Sequence, residues 1–302
     1  MTARLTLRQL QTFVAVARAG STMAAAQEIS LSQSAVSASL NELEDLLGGK
    51  LFNRVGRRLV LNEHGRSMLP QARVLLDEAR AIESQFGKTG HAPAPRLRIA
   101  ASTTIGNWVL PKVIAAYGHG QDVARIVLEI GNTLEVARAV AEFEVDLGFI
   151  EGPSTEPQLA VRPWMSDELV VVCSKRHPLA RTRRRVSAAE LREASWLARE
   201  AGSGTREVVE RALQPHLHEM KAQMELGSTE AIIQAAAEGL GLACVSRCTV
   251  EDMLALGRLV VLRTALPKLE RTFYLVHHER RYMSPTLERF IAHCLATKRR
   301  HR

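Results

Sequence analysis

Hydroxyl-bearing residues recur in this sequence where a helical pattern begins. Ser102-Thr103-Thr104 stands between an apolar run and the helical Ile105-Gly106-Asn107-Trp108-Val109-Leu110. Arg199-Glu200-Ala201-Gly202-Ser203-Gly204-Thr205-Arg206 stands likewise between Ser195-Trp196-Leu197-Ala198 and Glu207-Val208-Val209-Glu210. Gly131-Asn132-Thr133 and Gly227-Ser228-Thr229 are turns of the same kind. The first amides of a helix have no partner within it and lie at the positive end of its dipole, so such turns suit an anion. The same residue types also cap helices that bind nothing, and both readings fit here. Ser102, Thr103, Thr104, Thr133, Ser203, Gly204, Thr205 and Ser228, with Arg199 for charge and the acidic Glu151 nearby, form the candidate ligand site.

Other chemistry finds little support. A Gly-x-Ser-x-Gly elbow, a His-Glu-x-x-His pair and a dinucleotide fingerprint are absent, and the glycine turn at Ser203 lacks the Gly-Lys-Ser/Thr ending of a nucleotide phosphate loop. The 10 histidines form no ligand-spaced set. Neither an enzyme, nor a metal, nor a cofactor is expected. Of Cys173, Cys244, Cys248 and Cys294 only the middle two are close, without the second ligand pair of a zinc site, so buried structural thiols are expected.

A second group suits polyanion chemistry. The segment Leu51 to Leu61 reads as a two-stranded ribbon turning near Gly56, with Arg54, Arg57 and Arg58 at its tip to lie along phosphates. Before it, Leu7 to Ala19 reads as a helix with Leu7, Leu10, Phe13, Val14 and Ala17 on one face and Gly20 as its stop. Ser21 can cap a second helix that turns Ala25, Ala26 and Ile29 inward. Ser32 can cap a third, whose Val36, Leu40, Leu43 and Leu47 share a face. Its start and opposite face, Ser32, Gln33, Ser34, Ser37, Ala38 and Asn41, are small and polar, as a helix in the major groove requires; an ordinary solvated face has the same composition. The 40 Lys plus Arg against 32 Asp plus Glu, a formal charge of +8, favour a polyanion partner without identifying one.

The run Leu7-Arg8-Gln9-Leu10-Gln11-Thr12-Phe13, then Ser21-Thr22-Met23-Ala24-Ala25-Ala26, Leu31-Ser32-Gln33-Ser34-Ala35-Val36-Ser37, Leu43-Glu44, and Leu51-Phe52-Asn53-Arg54 with Leu61 and Gly65, resembles the N-terminal signature of LysR-type transcriptional regulators. Ala38 and Ser39 stand where relatives often carry a basic residue, and Asn62 replaces a common Thr. The resemblance implies an all-α winged helix-turn-helix DNA-binding domain over 1–62 and a dimerising linker helix with hinge over 63–92. It implies an α/β effector-binding domain over 93–302, resembling type 2 periplasmic binding proteins, with subdomain I about 93–164 and 268–302 and subdomain II about 165–267. A double-stranded DNA operator, a small-molecule effector and self-association as a dimer or homotetramer follow from it. Ile105-Gly106-Asn107, Asp146 to Pro153 and Arg199 to Arg206 look closest to the branch of sulfite-responsive and sulfur-metabolism regulators. That branch implies a small anionic effector, sulfite or a related oxyanion, otherwise a small carboxylate.

The remaining elements fit such an architecture. Met68, Ala72, Leu75, Ala79, Ile82 and Phe86 repeat at alternating spacings of four and three, a seam that buries itself against a partner helix or against its own domain. Gly87 to Pro95 breaks the helix. Beyond it, the apolar runs Leu97 to Ala100, Ile126 to Ile130, Asp146 to Ile150, Leu169 to Cys173, Leu242 to Val245 and Phe273 to Val276 alternate with helical patterns, which predicts parallel sheets. No signal peptide or apolar span is evident, so a cytoplasmic protein without membrane contact is expected. A solute-binding receptor of the periplasmic type, without a regulatory role, is the alternative.

Overall fold

Side-chain caps set where the first helices begin in the computed structural model, which describes residues 4–56, 58–86, 96–118, 125–152, 154–182, 184–218 and 222–297. Helix α1 (Leu7–Ala19) opens on a capping box: the Thr6 hydroxyl accepts from the Gln9 amide, and the Gln9 side chain accepts from the Thr6 amide. It ends at Gly20 in the left-handed conformation. Ser21 caps α2 (Thr22–Glu28) and Ser32 caps α3 (Gln33–Leu47) in the same way. Leu10, Phe13, Val16, Ala25, Val36, Leu40 and Leu43 form one core. Leu7 and Leu47, expected on the inward faces, are instead 45% and 46% exposed, because each helix's buried stripe ends before its terminal turn.

Strands β1 (Phe52–Val55) and β2 (Arg58–Leu61) form an antiparallel ribbon in which Val55 faces Arg58 across the turn at Gly56. The Leu59 amide donates to the Gly20 carbonyl at 2.8 Å, pinning the ribbon to the end of α1. Buried Glu44 accepts from the Leu51 amide (2.9 Å) and from Lys50 Nζ (2.7 Å), which fixes the ribbon's other end to α3. Asn62 then accepts from the Gly65 amide at 2.9 Å as α4 (Glu63–Phe86) begins. A Cβ on Gly65 would stand 2.2 Å from the Leu51 carbonyl oxygen, so only glycine lets helix and ribbon approach this closely. Leu69, Ala72 and Leu76 of α4 are buried in the helix-turn-helix core with Met68 beside them, whereas Leu75 and Ile82 are 45% and 60% exposed. The front of the expected seam therefore packs on its own domain, and the exposed leucine and isoleucine lie further along.

The chain divides into two units, Met1–Pro93 with Glu142–Glu144 and Arg280–Ser284, and the remainder. The second unit runs β3 (Arg96–Ser102), a π-helical turn (Ile105–Val109), α5 (Leu110–Tyr117), β4 (Arg125–Gly131), α6 (Thr133–Ala141), β5 (Leu147–Glu151) and β6 (Leu159–Ser174). It continues through α7 (Ala188–Glu193), β7 (Trp196–Arg199), α8 (Gly204–Leu217), β8 (Ala222–Leu226), α9 (Thr229–Ala237), β9 (Ala243–Ser246), α10 (Glu251–Ala255), β10 (Leu259–Val261), β11 (Leu269–His278) and α11 (Pro285–Thr297). One sheet has the order β10-β6-β11-β5-β3-β4 with β9 also on β6, and β7 and β8 form a second.

Only part of the predicted parallel pairing holds. Strand β3 is parallel to β4 and β5, and β7 to β8, but β11 is antiparallel to both β5 and β6, and β6 is antiparallel to β9 and β10. Strand β11 pairs along its whole length with the Leu159 to Leu169 part of β6, with a register shift between Phe273 and Tyr274 opposite Trp164. Along β6, Leu169, Val171 and Cys173 enter one core with Trp196 and Leu213, and Val170 and Val172 enter another with Ile232 and Val245. Burial on both faces explains an uninterrupted apolar run in place of alternation.

Candidate functional site

On α3, Gln33, Ser34, Ala38 and Asn41 are exposed and Ser37 is half-buried. Exposed Ser32 accepts from the Ala35 amide at 3.2 Å and lies 3.0 Å from the Ser34 hydroxyl. Arg54 and Arg58 are exposed at the end of the ribbon, and among the described residues no carboxylate pairs with either; Arg57 lies outside the described residues. This cationic tip and the polar face of α3 belong to one domain.

In the second unit, donors from four places converge on the carboxylate of Glu151, the last residue of β5. Ser102 at the end of β3 donates to Oε1 at 3.0 Å, as does the Thr104 backbone amide in the following turn. Thr205 in the first turn of α8 donates to Oε2, and Arg271 on β11 donates to the same oxygen at 2.7 Å. Arg271 also donates to Thr205 Oγ1 (2.8 Å), to Thr104 Oγ1 (3.4 Å) and, through Nε, to Asp167 Oδ2 (2.6 Å). The other Asp167 oxygen accepts from Ser246. Glu151 is 2% exposed and Arg271 5%. Burial works to raise the Glu151 carboxyl, but the Arg271 guanidinium and the bonds from Thr205, Thr104 and Ser102 outweigh it and hold the group below the ordinary carboxylate range. At Asp167 burial wins over Arg271 and pushes the carboxyl up.

Two further features draw α8 close to β5. A Cβ on Gly204 would stand 2.0 Å from the Glu151 carbonyl oxygen and 2.4 Å from Thr133 Oγ1. The Glu151 amide donates to that Thr133 hydroxyl at 3.4 Å. Ser203 and Ser228 cap α8 and α9, accepting from the Arg206 and Ala231 amides. Thus Ser102, Thr104, Thr133, Gly204 and Thr205 meet around Glu151.

Thr103 and Arg199 belong to a neighbouring group. Buried Arg199 donates to Thr229 (2.7 Å), to Thr103 (3.2 Å) and with two nitrogens to Glu200. Beside it opens a cavity of about 380 Å³ lined by Thr103, Asn107, Asn132, Glu135, Arg199, Glu200, Ser228 and Glu230 among others. Three carboxylates and one arginine face this space. Within it the Asn107 amide bonds Glu230, and Glu135 accepts from the Asn132 amide at 2.8 Å.

Arg271 and Asp167 escaped the sequence reading, although a signal existed. In Leu269-Glu270-Arg271-Thr272-Phe273 the strand alternation places Arg271 between two apolar side chains on the inward face, and an inward cation requires a buried partner. Cys173, Cys244 and Cys294 are buried thiols pushed by that burial to about 11, 12 and 12. Among the described residues no three His, Cys, Asp or Glu side chains gather as a metal site, and no helix is long and apolar enough to cross a membrane.

Comparison with known proteins gives this geometry its setting. Residues 7–66 match the bacterial regulatory helix-turn-helix protein, lysR family, and residues 90–299 match the LysR substrate binding domain. The chain is 47% identical over 290 residues to the uncharacterized HTH-type transcriptional regulator YeiE of Escherichia coli strain K12, spanning 96% of this chain and 97% of that one. Full-length OxyR from Pseudomonas aeruginosa superposes with a TM-score of 0.79 at 23% identity, covering 99% of this chain and 96% of that one. The regulatory domain of Synechocystis CcmR, solved in complex with 2-PG, gives a TM-score of 0.63 at 26% identity over 68% of this chain and 99% of that domain. The helix-turn-helix match disfavours a solute receptor without a regulatory role. With both of its domains matched, this chain belongs to the LysR family of DNA-binding transcriptional regulators, carrying an effector-binding domain behind its helix-turn-helix.

Proposed function

We propose that this regulator acts in the cytoplasm on a palindromic operator, as a dimer or homotetramer, and that its effector is a small anion. Sulfite or a related sulfur oxyanion ranks ahead of a small carboxylate. Ser32, Gln33, Ser34, Ser37, Ala38 and Asn41 meet the major groove, and Arg54, Arg57 and Arg58 meet phosphates. Association through α4 is supported by the exposure of Leu75 and Ile82. No catalytic role is proposed.

The observation that carries the anion reading is the donor cluster at Ser102, Thr104, Thr205 and Arg271, which already satisfies both oxygens of a carboxylate. Titration calorimetry of the full chain with sulfite, sulfate, thiosulfate and small dicarboxylates tests it. Thr104→Val and Thr205→Val should each weaken binding by about 1–3 kcal/mol where the hydroxyl bonds the charged ligand. A second reading rests on the cavity, where Glu135, Glu200 and Glu230 face Arg199 and favour a ligand that also carries an amine. Heat from a cationic metabolite, with none from any anion, would sink the first reading in favour of the second.

A further inference from the structure

The donors that an anionic effector needs are already engaged by the protein itself. Glu151 Oε1 accepts from Ser102 and the Thr104 amide, and Oε2 accepts from Thr205 and Arg271. None of these donors comes from β5, the strand that carries Glu151. They arrive from the end of β3, the turn after it, the start of α8 and the first part of β11. Three of them are oriented by something other than the Glu151 side chain: Arg271 by Asp167 at 2.6 Å, Thr205 by the close seat of Gly204 on Thr133 and on the Glu151 backbone carbonyl, and Ser102 by the pairing of β3 with β4. Four donors from separate elements, directed at two oxygens, define a receptor for an oxyanion, and the Glu151 side chain is one carboxylate delivered to it on a tether. The tether is what makes the interaction strong, because a linked group avoids the translational cost that a free anion must meet.

We propose that Glu151 is a tethered occupant of an oxyanion receptor built from Ser102, Thr104, Thr205 and Arg271, and that the receptor takes a free formate, acetate or sulfite once the side chain is removed. If the effector is an anion, as proposed above, effector and Glu151 contend for the same donors.

Thermal melting of the full chain carrying Glu151→Ala tests the proposal, with formate, acetate or sulfite titrated against sodium chloride at equal ionic strength. The variant should melt below the unsubstituted chain and recover saturably by about 5 °C or more in one of the oxyanions beyond its response to chloride. Glu151→Gln keeps the space filled by a neutral amide and should show no such recovery. Adding Arg271→Met to Glu151→Ala removes the cation and should abolish it. Equal responses of Glu151→Ala to all three oxyanions and to chloride overturn the proposal, and so does a recovery of Glu151→Gln as large as that of Glu151→Ala. If Glu151→Ala is insoluble, soluble yield after refolding in formate or in chloride replaces the melt, and equal yields overturn the proposal in the same way. Rescue of the variant without sulfite binding by the unsubstituted chain leaves the receptor standing and removes the anionic effector; sulfite binding without rescue does the reverse.

Discussion

Arg271 decides whether the interior of the effector domain is tolerable electrostatically. It is the cation between Glu151 at 2.7 Å and Asp167 at 2.6 Å, and its guanidinium carbon lies 5.0 Å from the centre of the Phe273 ring. Replacing it by methionine would bury two carboxylates without a counter-charge, a change that costs about 3–5 kcal/mol when one partner of a buried pair is lost. The acids respond to pH with opposite signs. Glu151 is held below its reference value of 4.5, so its contribution is fully present above that value and is lost as pH falls through the lower folded value. Asp167 is raised from 3.8, so its ionised form weighs against the fold and protonation relieves it. Melting temperature followed from about pH 6 to pH 3 should therefore fall less steeply in Glu151→Gln than in the unsubstituted chain. Identical acid limbs would show that Glu151 carries no such linkage. The hydroxyls of this site were visible in the sequence because Ser and Thr at helix starts follow a local rule. Arg271 and Asp167 were not found because their meaning depends on strands distant in the chain being brought together.

Elements with strong local signals were legible almost to the residue. Helix α1 begins and ends where Thr6 and Gly20 dictate, since a capping box and a left-handed glycine are short-range devices. The front half of β6 was missed because Arg162, Pro163 and Ser166 interrupt its apolar pattern, and the antiparallel pairing of β6 with β11 is a property of the topology that no local run encodes. The ribbon of β1 and β2 makes a sharper prediction. Arg54→Ala with Arg58→Ala should weaken binding to all DNA sequences and lower the salt slope by about one unit for each phosphate no longer neutralised, whereas Ser37→Glu should remove operator selectivity by placing a charge in the groove. Unchanged affinity and slope would take the ribbon off the DNA. In α4 neighbouring leucines should part company. Leu75→Asp with Ile82→Asp substitutes exposed positions, so the helix-turn-helix should keep its melting temperature while light scattering reports a smaller assembly. Leu76→Asp buries a charge in the core at a 4% exposed position and should unfold the domain instead. A double variant of undiminished size would show that the exposed pair is not the interface.

At the scale of the whole molecule the helix-turn-helix and the donor cluster lie in different units, and a regulator must couple them through free energy. An effector shifts an equilibrium only by its unequal affinity for the states concerned, and the shift is reciprocal. Should sulfite change operator affinity by some factor, operator DNA must change sulfite affinity by the same factor and in the same direction, with a size of about 5 to 150-fold in typical cases. The cluster around Glu151 offers a physical origin for such a difference, because it ties the start of α8 to β3, β5 and β11, and the proposed free anion would take over those same donors. The measurement is a pair of titrations at one salt concentration, operator fluorescence anisotropy with and without saturating sulfite, and sulfite calorimetry with and without saturating operator. Fixed salt matters because phosphate neutralisation makes operator affinity steeply dependent on it. A shared factor different from one places the coupling within the binding equilibria of this chain. A factor of one in both titrations means that sulfite acts on something other than operator affinity, and then Glu151→Gln, which alters the cluster alone, should leave the anisotropy curve unmoved with sulfite or without it.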